Sequence, residues 1–139
     1  MTDPVTVETH VPVPPREAWS AYTDPAAIVR WNFATPEWCC PRAAVDLREG
    51  GRYTARMEAR DGSSGFDLGA TCRTVEAPRL LVLELDDGRL SRTTFTAEED
   101  GTRVRTTFDP ETIHPVAMQR EGWQAILDQY AAHVKGARS

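Results

Sequence analysis

The last quarter of the sequence limits the possible folds more than any other part. Between Pro115 and Val134, the positions that could face a core recur every three or four residues: Val116, Gln119, Trp123, Ile126, Leu127, Tyr130 and Val134. This period predicts an amphipathic α-helix with one apolar stripe. A helix of about 20 residues is roughly 30 Å long, enough to cross a whole face of a small domain. Its stripe therefore needs a large apolar surface to pack on.

The middle of the chain predicts that surface. Apolar and polar residues alternate in a series of short segments, which are 43–47, 52–59, 66–72, 81–85, 93–97 and 104–108. Turn sequences such as Asp61-Gly62 and Asp87-Gly88 separate them. Short turns of this kind join antiparallel neighbours, so we expect an antiparallel meander rather than alternating strands and helices.

The first forty residues predict one strand and two short helices. Residues 5–11 alternate as a half-buried strand does, and a helix is expected from Pro15 onward. Asp24-Pro25 resembles an N-cap followed by proline in the first turn, so a second helix should begin there. Residues 32–40 show no period but contain Phe33 and Trp38, so we interpret them as a loop that folds inward.

The composition is that of one globular α+β domain covering residues 1–139. The net charge of −5 argues against nucleic acid and anionic membranes as partners. No apolar run approaches the roughly 20 residues that span a bilayer, and the N-terminus does not resemble a secretory signal. We therefore expect a cytoplasmic protein without membrane insertion. Cys39, Cys40 and Cys72 have neither disulfide nor zinc spacing and are interpreted as small apolar side chains.

The order of elements and several short motifs together resemble a known superfamily. The motifs are Pro15-Arg16-Glu17-Ala18-Trp19, Thr23-Asp24-Pro25, Arg30-Trp31-Asn32, the segment 45–53, the segment 75–80, Gly101-Thr102-Arg103-Val104 and Gly122-Trp123. From about Val5 to about Val134 the chain resembles the START-like or Bet v 1-like superfamily. Within it, the chain is similar to the family related to the C-terminal domain of the activator of Hsp90 ATPase. The resemblance implies a helix-grip fold, in which a curved antiparallel sheet wraps around the long C-terminal helix.

The resemblance also implies a cavity between sheet and helix that binds an apolar molecule. If the fold is right, the large side chains facing this space are Trp31, Phe33, Trp38, Met57, Phe66, Phe95, Met118, Trp123 and Tyr130. The alternative for each is ordinary core packing. Small residues on the same face, Ala43, Ala55, Ala59 and Ala70, and the adaptable methionines favour a hollow interior.

Three functions remain open at this point. The first is non-catalytic binding of a small hydrophobic or amphipathic ligand. The second is an enzyme of the polyketide cyclase or aromatase type, which requires at least two of His114, Asp67 and Arg56 to face the cavity. The third is a chaperone-related protein-interaction domain, which the resemblance suggests and which would have an exposed apolar patch of several hundred Å². No catalytic constellation, metal site or cofactor motif is predicted, and we expect a monomer or homodimer.

Overall fold

The N-terminal elements follow from their capping residues. The computed structural model describes residues 3–137. Residues 1 and 2, which belong to the N-terminal segment expected to carry no secretory signal, lie outside the described residues. Strand β1 (Val5–Val11) is followed by helices α1 (Pro15–Thr23) and α2 (Pro25–Trp31). The Asp24 side chain accepts a hydrogen bond from the Ala26 N–H at 3.0 Å, which caps α2 as predicted.

Seven antiparallel strands form one curled sheet. Strands β2 to β7 are Trp38–Val45, Arg52–Ala59, Gly65–Glu76, Leu80–Leu85, Leu90–Glu98 and Gly101–Phe108. The spatial order is β1-β7-β6-β5-β4-β3-β2. Consecutive strands from β2 to β7 therefore pair with each other, and β1 pairs with β7 as the second edge of the sheet. Together with the long helix α3 (Val116–Ala137), this sheet confirms the predicted α+β helix-grip fold.

Strand β2 corrects the prediction of a loop at residues 32–40. The strand begins at Trp38 and pairs with β3, and its register shifts between Cys39 and Arg42. Pro41 lies inside this irregularity, where its missing N–H removes no hydrogen bond from a regular ladder. The bulge breaks the period-two pattern, which explains why the sequence shows no strand there.

Helix α3 packs against one side of the sheet rather than across its middle. Its main contacts are with β1, α1 and α2. Leu127, Tyr130, Ala131 and Val134 are buried on its inner side, as the apolar stripe predicts. The helix continues through Ala137, past Gly136, although glycine often marks the end of a helix. A single glycine near a helix end costs only about 1 kcal/mol, which packing of the preceding turns can offset.

A helix lies beside each edge strand of the sheet. The two edges are β1 and β2; α3 contacts β1, and α2 contacts β2. Between the helices and the sheet, five aromatic rings pack edge to face or stacked with neighbouring centroids 5.3–5.5 Å apart: Trp19, Tyr22, Trp31, Phe95 and Tyr130. No helix among residues 3–137 has the length and hydropathy to cross a membrane.

Candidate functional site

A cavity of about 390 Å³ lies between the sheet and the N-terminal half of α3. This volume falls within the roughly 300–1,000 Å³ range of pockets that enclose small organic molecules. Most of its wall is apolar, formed by Val7, Trp31, Met57, Phe66, Leu68, Ala70, Leu83, Leu85, Trp123, Ile126 and Leu127.

The cavity exists because α3 leans on β1 and the short helices, which leaves β3, β4 and β5 without a helix directly above them. Trp123 stacks on Phe108 with ring centroids 4.0 Å apart and planes at 7°, and this pair fills the space between α3 and β7. Ala70, fully buried on β4, leaves room on the sheet side. The other small residues named above, Ala43, Ala55 and Ala59, do not line the cavity.

Four polar side chains, which we call the polar rim, form one end of the cavity: Arg89, Glu111, His114 and Gln119. Hydrogen bonds hold the loop before α3 in place. The Glu111 carboxylate accepts from the His114 N–H at 2.7 Å and lies 3.1 Å from His114 Nδ1. Gln119 donates to the Glu111 carbonyl at 3.0 Å and accepts from its N–H at 2.8 Å. The hydrogen bond from the His114 backbone N–H, with smaller contributions from the His114 ring and the Ile113 N–H, holds the pKa of Glu111 below its usual value.

Deeper polar groups interrupt the apolar wall. They are Tyr22, Asn32, Tyr53, Ser91 and Thr106. The hydroxyls of Tyr22 and Thr93 lie 3.3 Å apart, and those of Thr93 and Thr106 lie 2.8 Å apart. The Asn32 amide points at the Met57 sulfur, 3.7 Å away. The interior can therefore accommodate an occasional ligand heteroatom as well as hydrocarbon.

Four of the nine predicted ligand-binding residues line the cavity. Trp31 is anchored by a hydrogen bond from its Nε1 to the Ala21 carbonyl at 2.9 Å, and Met57 projects from β3. Trp123 comes from α3, and Phe66 from the start of β4. Phe66 is 50% exposed, so one aromatic side of the cavity reaches solvent. Ligand contact by these four stays a prediction.

The other five predicted residues lie elsewhere. Phe95 and Tyr130 are part of the buried aromatic cluster, because α1 and α2 cover that end of the sheet. Trp38 contacts the Phe66 ring from outside the cavity, and Phe33 packs beneath the Arg60 guanidinium. Met118 is 56% exposed, because it lies on the opposite side of α3 from the apolar stripe.

Of the three polar candidates, one lies at the cavity and two lie elsewhere. His114 reaches the cavity as part of the polar rim. Arg56 alternates with the buried Tyr53, Ala55 and Met57, so it projects from the opposite face of β3. There it lies 3.5 Å from Asp67 on β4, outside the cavity. Only one of the three groups that a cyclase-type reaction would require is therefore at the site.

Sequence reasoning missed Asn32, Tyr53, Ser91, Arg89 and Glu111 as lining residues. A usable signal existed for Tyr53 and Ser91, since both occupy inward positions of alternating strands although they carry hydroxyls. Arg89 and Glu111 come from a hairpin turn and a loop, whose direction no period in the sequence reveals.

The remaining reactive groups lie outside the cavity. Cys39, Cys40 and Cys72 are free thiols, and burial raises the pKa of Cys40 and Cys72, which keeps both protonated. His10 Nε2 lies 3.0 Å from Asp100 and 3.7 Å from Glu98, a surface arrangement that could hold a cation. None of these residues lines the cavity.

A curled sheet that wraps a C-terminal helix and encloses an apolar cavity defines a START-like or Bet v 1-like domain. Residues 12–135 match the family model described as "Activator of Hsp90 ATPase homolog 1-like protein". The chain belongs to this family. A search of curated proteins found no match.

Solved structures agree with the family assignment. The AHSA1-like protein from Aeromonas hydrophila is 42% identical with a TM-score of 0.92, covering 97% of this chain and 94% of that one. The protein Chr148 from Cytophaga hutchinsonii is 36% identical with a TM-score of 0.84, covering 99% and 95%. A protein from Nitrosomonas europaea shares the fold at 19% identity and a TM-score of 0.85, covering 98% and 96%.

Proposed function

We propose that this protein binds a small hydrophobic or amphipathic molecule in the cavity between sheet and α3. The observation that carries the proposal is the cavity of about 390 Å³ with its largely apolar wall. The apolar wall of such a cavity is less stable facing water than in contact with other apolar groups. A ligand that fills the space would provide those contacts and remove its own apolar surface from water.

The distribution of polarity supports an amphipathic ligand with its polar group at the rim. Arg89 donates to Asp87 at 2.7 Å, so its charge is already partly balanced. The Glu111 carboxylate and the His114 ring supply an acceptor and a titratable group beside it. Such a mixed rim suits a polar but not strongly charged headgroup. Lipids, isoprenoids and aromatic polyketides are therefore the ligand classes to screen first.

Binding without chemistry is favoured over catalysis. A cyclase-type reaction would need two converging polar groups, and Arg56 and Asp67 pair with each other on the outer face of the sheet. The interaction-domain hypothesis has less support. Of the exposed large apolar residues in the described part of the chain, which are Leu47, Phe66, Leu90, Ile113 and Met118, Phe66 belongs to the cavity wall. We also propose a cytoplasmic monomer or homodimer, whose mass light scattering would measure.

The test is a ligand screen with a variant that fills the cavity. Native mass spectrometry with fatty acids, isoprenoids and aromatic polyketides should identify a class that binds one molecule per chain. Ala70→Leu adds bulk inside the cavity and should weaken that binding at least tenfold. The matched control is Thr96→Leu on the exposed side of β6, which should bind as the wild type does. Equal binding by wild type and Ala70→Leu would refute the proposed location.

A further inference from the structure

Tyr53 presents a hydroxyl group inside the cavity wall. It lies on the inner face of β3, between Val45 of β2 and Ala70 of β4. The residue is only 6% exposed, yet it lines the cavity. Most of the Tyr53 side chain is therefore buried in the core, and the remaining part borders the cavity that we assign to the ligand.

The Tyr53 hydroxyl has no hydrogen-bond partner among residues 3–137. The two other tyrosines differ, because Tyr130 donates to the Ala18 carbonyl at 2.7 Å and Tyr22 lies 3.3 Å from the Thr93 hydroxyl. Because Tyr53 lines the cavity, a partner for its hydroxyl must come from the contents of the cavity. A ligand oxygen placed there would accept a hydrogen bond for which no side chain of residues 3–137 competes.

The surroundings of Tyr53 select a neutral oxygen as that partner. Burial, with smaller contributions from nearby Tyr22 and Cys40, raises the pKa of Tyr53, so its hydroxyl stays protonated and can donate. The basic lining side chains, Arg89 and His114, belong to the polar rim rather than to β3. A carboxylate beside Tyr53 would be desolvated without a counter-charge, whereas a carbonyl or ether oxygen would not incur that cost.

We propose that Tyr53 is the internal anchor of the cavity and donates a hydrogen bond to a carbonyl or ether oxygen of the ligand. The ligand would then be an apolar molecule with a neutral oxygen at its buried end. This inference rests on the proposed function. Ser91, on β6, also has a hydroxyl without a partner in the described part of the chain, but its short side chain keeps that oxygen near the sheet.

The test compares two probes of nearly the same shape, 2-acetylnaphthalene and 2-isopropenylnaphthalene, which differ by a carbonyl oxygen in place of a methylene group. Trp31 and Trp123 line the cavity, so tryptophan fluorescence can follow binding. Wild type should bind the ketone about threefold to tenfold more tightly than the alkene, the net effect of one hydrogen bond. Tyr53→Phe should lose this preference and bind the ketone no more tightly than the alkene, because the carbonyl oxygen would then be buried without a donor.

The control is Tyr130→Phe, which removes a tyrosine hydroxyl outside the cavity and should keep the ketone preference. A preference that persists in Tyr53→Phe, or equal binding of both probes by wild type, would overturn the anchor and leave the proposed function intact. Failure of wild type to bind either probe, together with an empty ligand screen, would overturn the proposed function and this inference with it.

Discussion

Removing the hydroxyl from Tyr53 or from Tyr130 should change stability to very different extents, although both substitutions are tyrosine to phenylalanine. The Tyr130 hydroxyl is fully buried and donates to the Ala18 carbonyl at 2.7 Å, which links α3 to α1. The Tyr53 hydroxyl is paired with none of the described residues. The difference between the two variants therefore measures the contribution of the one buried hydrogen bond of Tyr130.

The expected sizes follow from the two environments. Tyr130→Phe loses a short buried bond and should lower the free energy of unfolding by about 1–2 kcal/mol. For a domain of this size that corresponds to a fall in Tm of roughly 3–6 °C. Tyr53→Phe removes a hydroxyl that borders the cavity and bonds to no described residue, so it should leave the free energy of unfolding nearly unchanged.

The assay is urea unfolding of the ligand-free protein, followed by circular dichroism and by tryptophan fluorescence. Coincident transitions from the two probes would justify a two-state fit. If Tyr53→Phe proves as destabilising as Tyr130→Phe, the Tyr53 hydroxyl has a hydrogen-bond partner in the ligand-free protein. That result would refute the assignment of Tyr53 as a hydroxyl without a protein partner.

Two further predictions concern stability. Burial raises the pKa of Tyr53 and Tyr130 above the value of about 10 that tyrosine has in the unfolded chain. The stability that depends on their protonated hydroxyls is therefore fully present below about pH 10 and is lost as the pH rises above it. Each should reduce the free energy of unfolding by roughly 1.4 kcal/mol per pH unit above that point, measured by urea unfolding at increasing pH; an unchanged slope in Tyr53→Phe would contradict this. Gly122 lies within α3 with nothing near the position of a Cβ, so Gly122→Ala should raise Tm by about 2–4 °C. As a control, Gly51→Ala should lower Tm, because its methyl group would collide with the Asp46 carbonyl oxygen.

Elements with a regular period were predictable from the sequence. The alternation of Tyr53, Ala55 and Met57 fixed their common face, and the stripe of α3 placed Leu127 and Tyr130 inward. Asp24 capped α2 where the side-chain chemistry indicated. In these cases local conformation and burial favour the same structure, so one pattern is enough to identify it.

The cavity was less predictable, because its existence depends on where α3 rests rather than on which residues face inward. Phe95 and Tyr130 occupy inward-facing positions of their strand and helix. They are nevertheless packed in the core and not at the cavity, because α1 and α2 cover them. Arg89 and Glu111 reach the cavity from turns whose direction is set by hydrogen bonds to Asp109 and Gln119. Such tertiary placement leaves no local signature.

The helices beside the two edge strands also determine how a ligand can enter. An edge strand carries unpaired backbone groups that readily join another chain, and α3 lies against β1. Lifting α3 to admit a ligand would expose that edge and break the Tyr130 bond to α1. Movement of the loop that carries Glu111 and His114 would break the hydrogen bonds of these two residues with Gln119 and leave the Tyr130 bond intact. We therefore expect ligand exchange through the polar rim, with the helix and both sheet edges in place throughout.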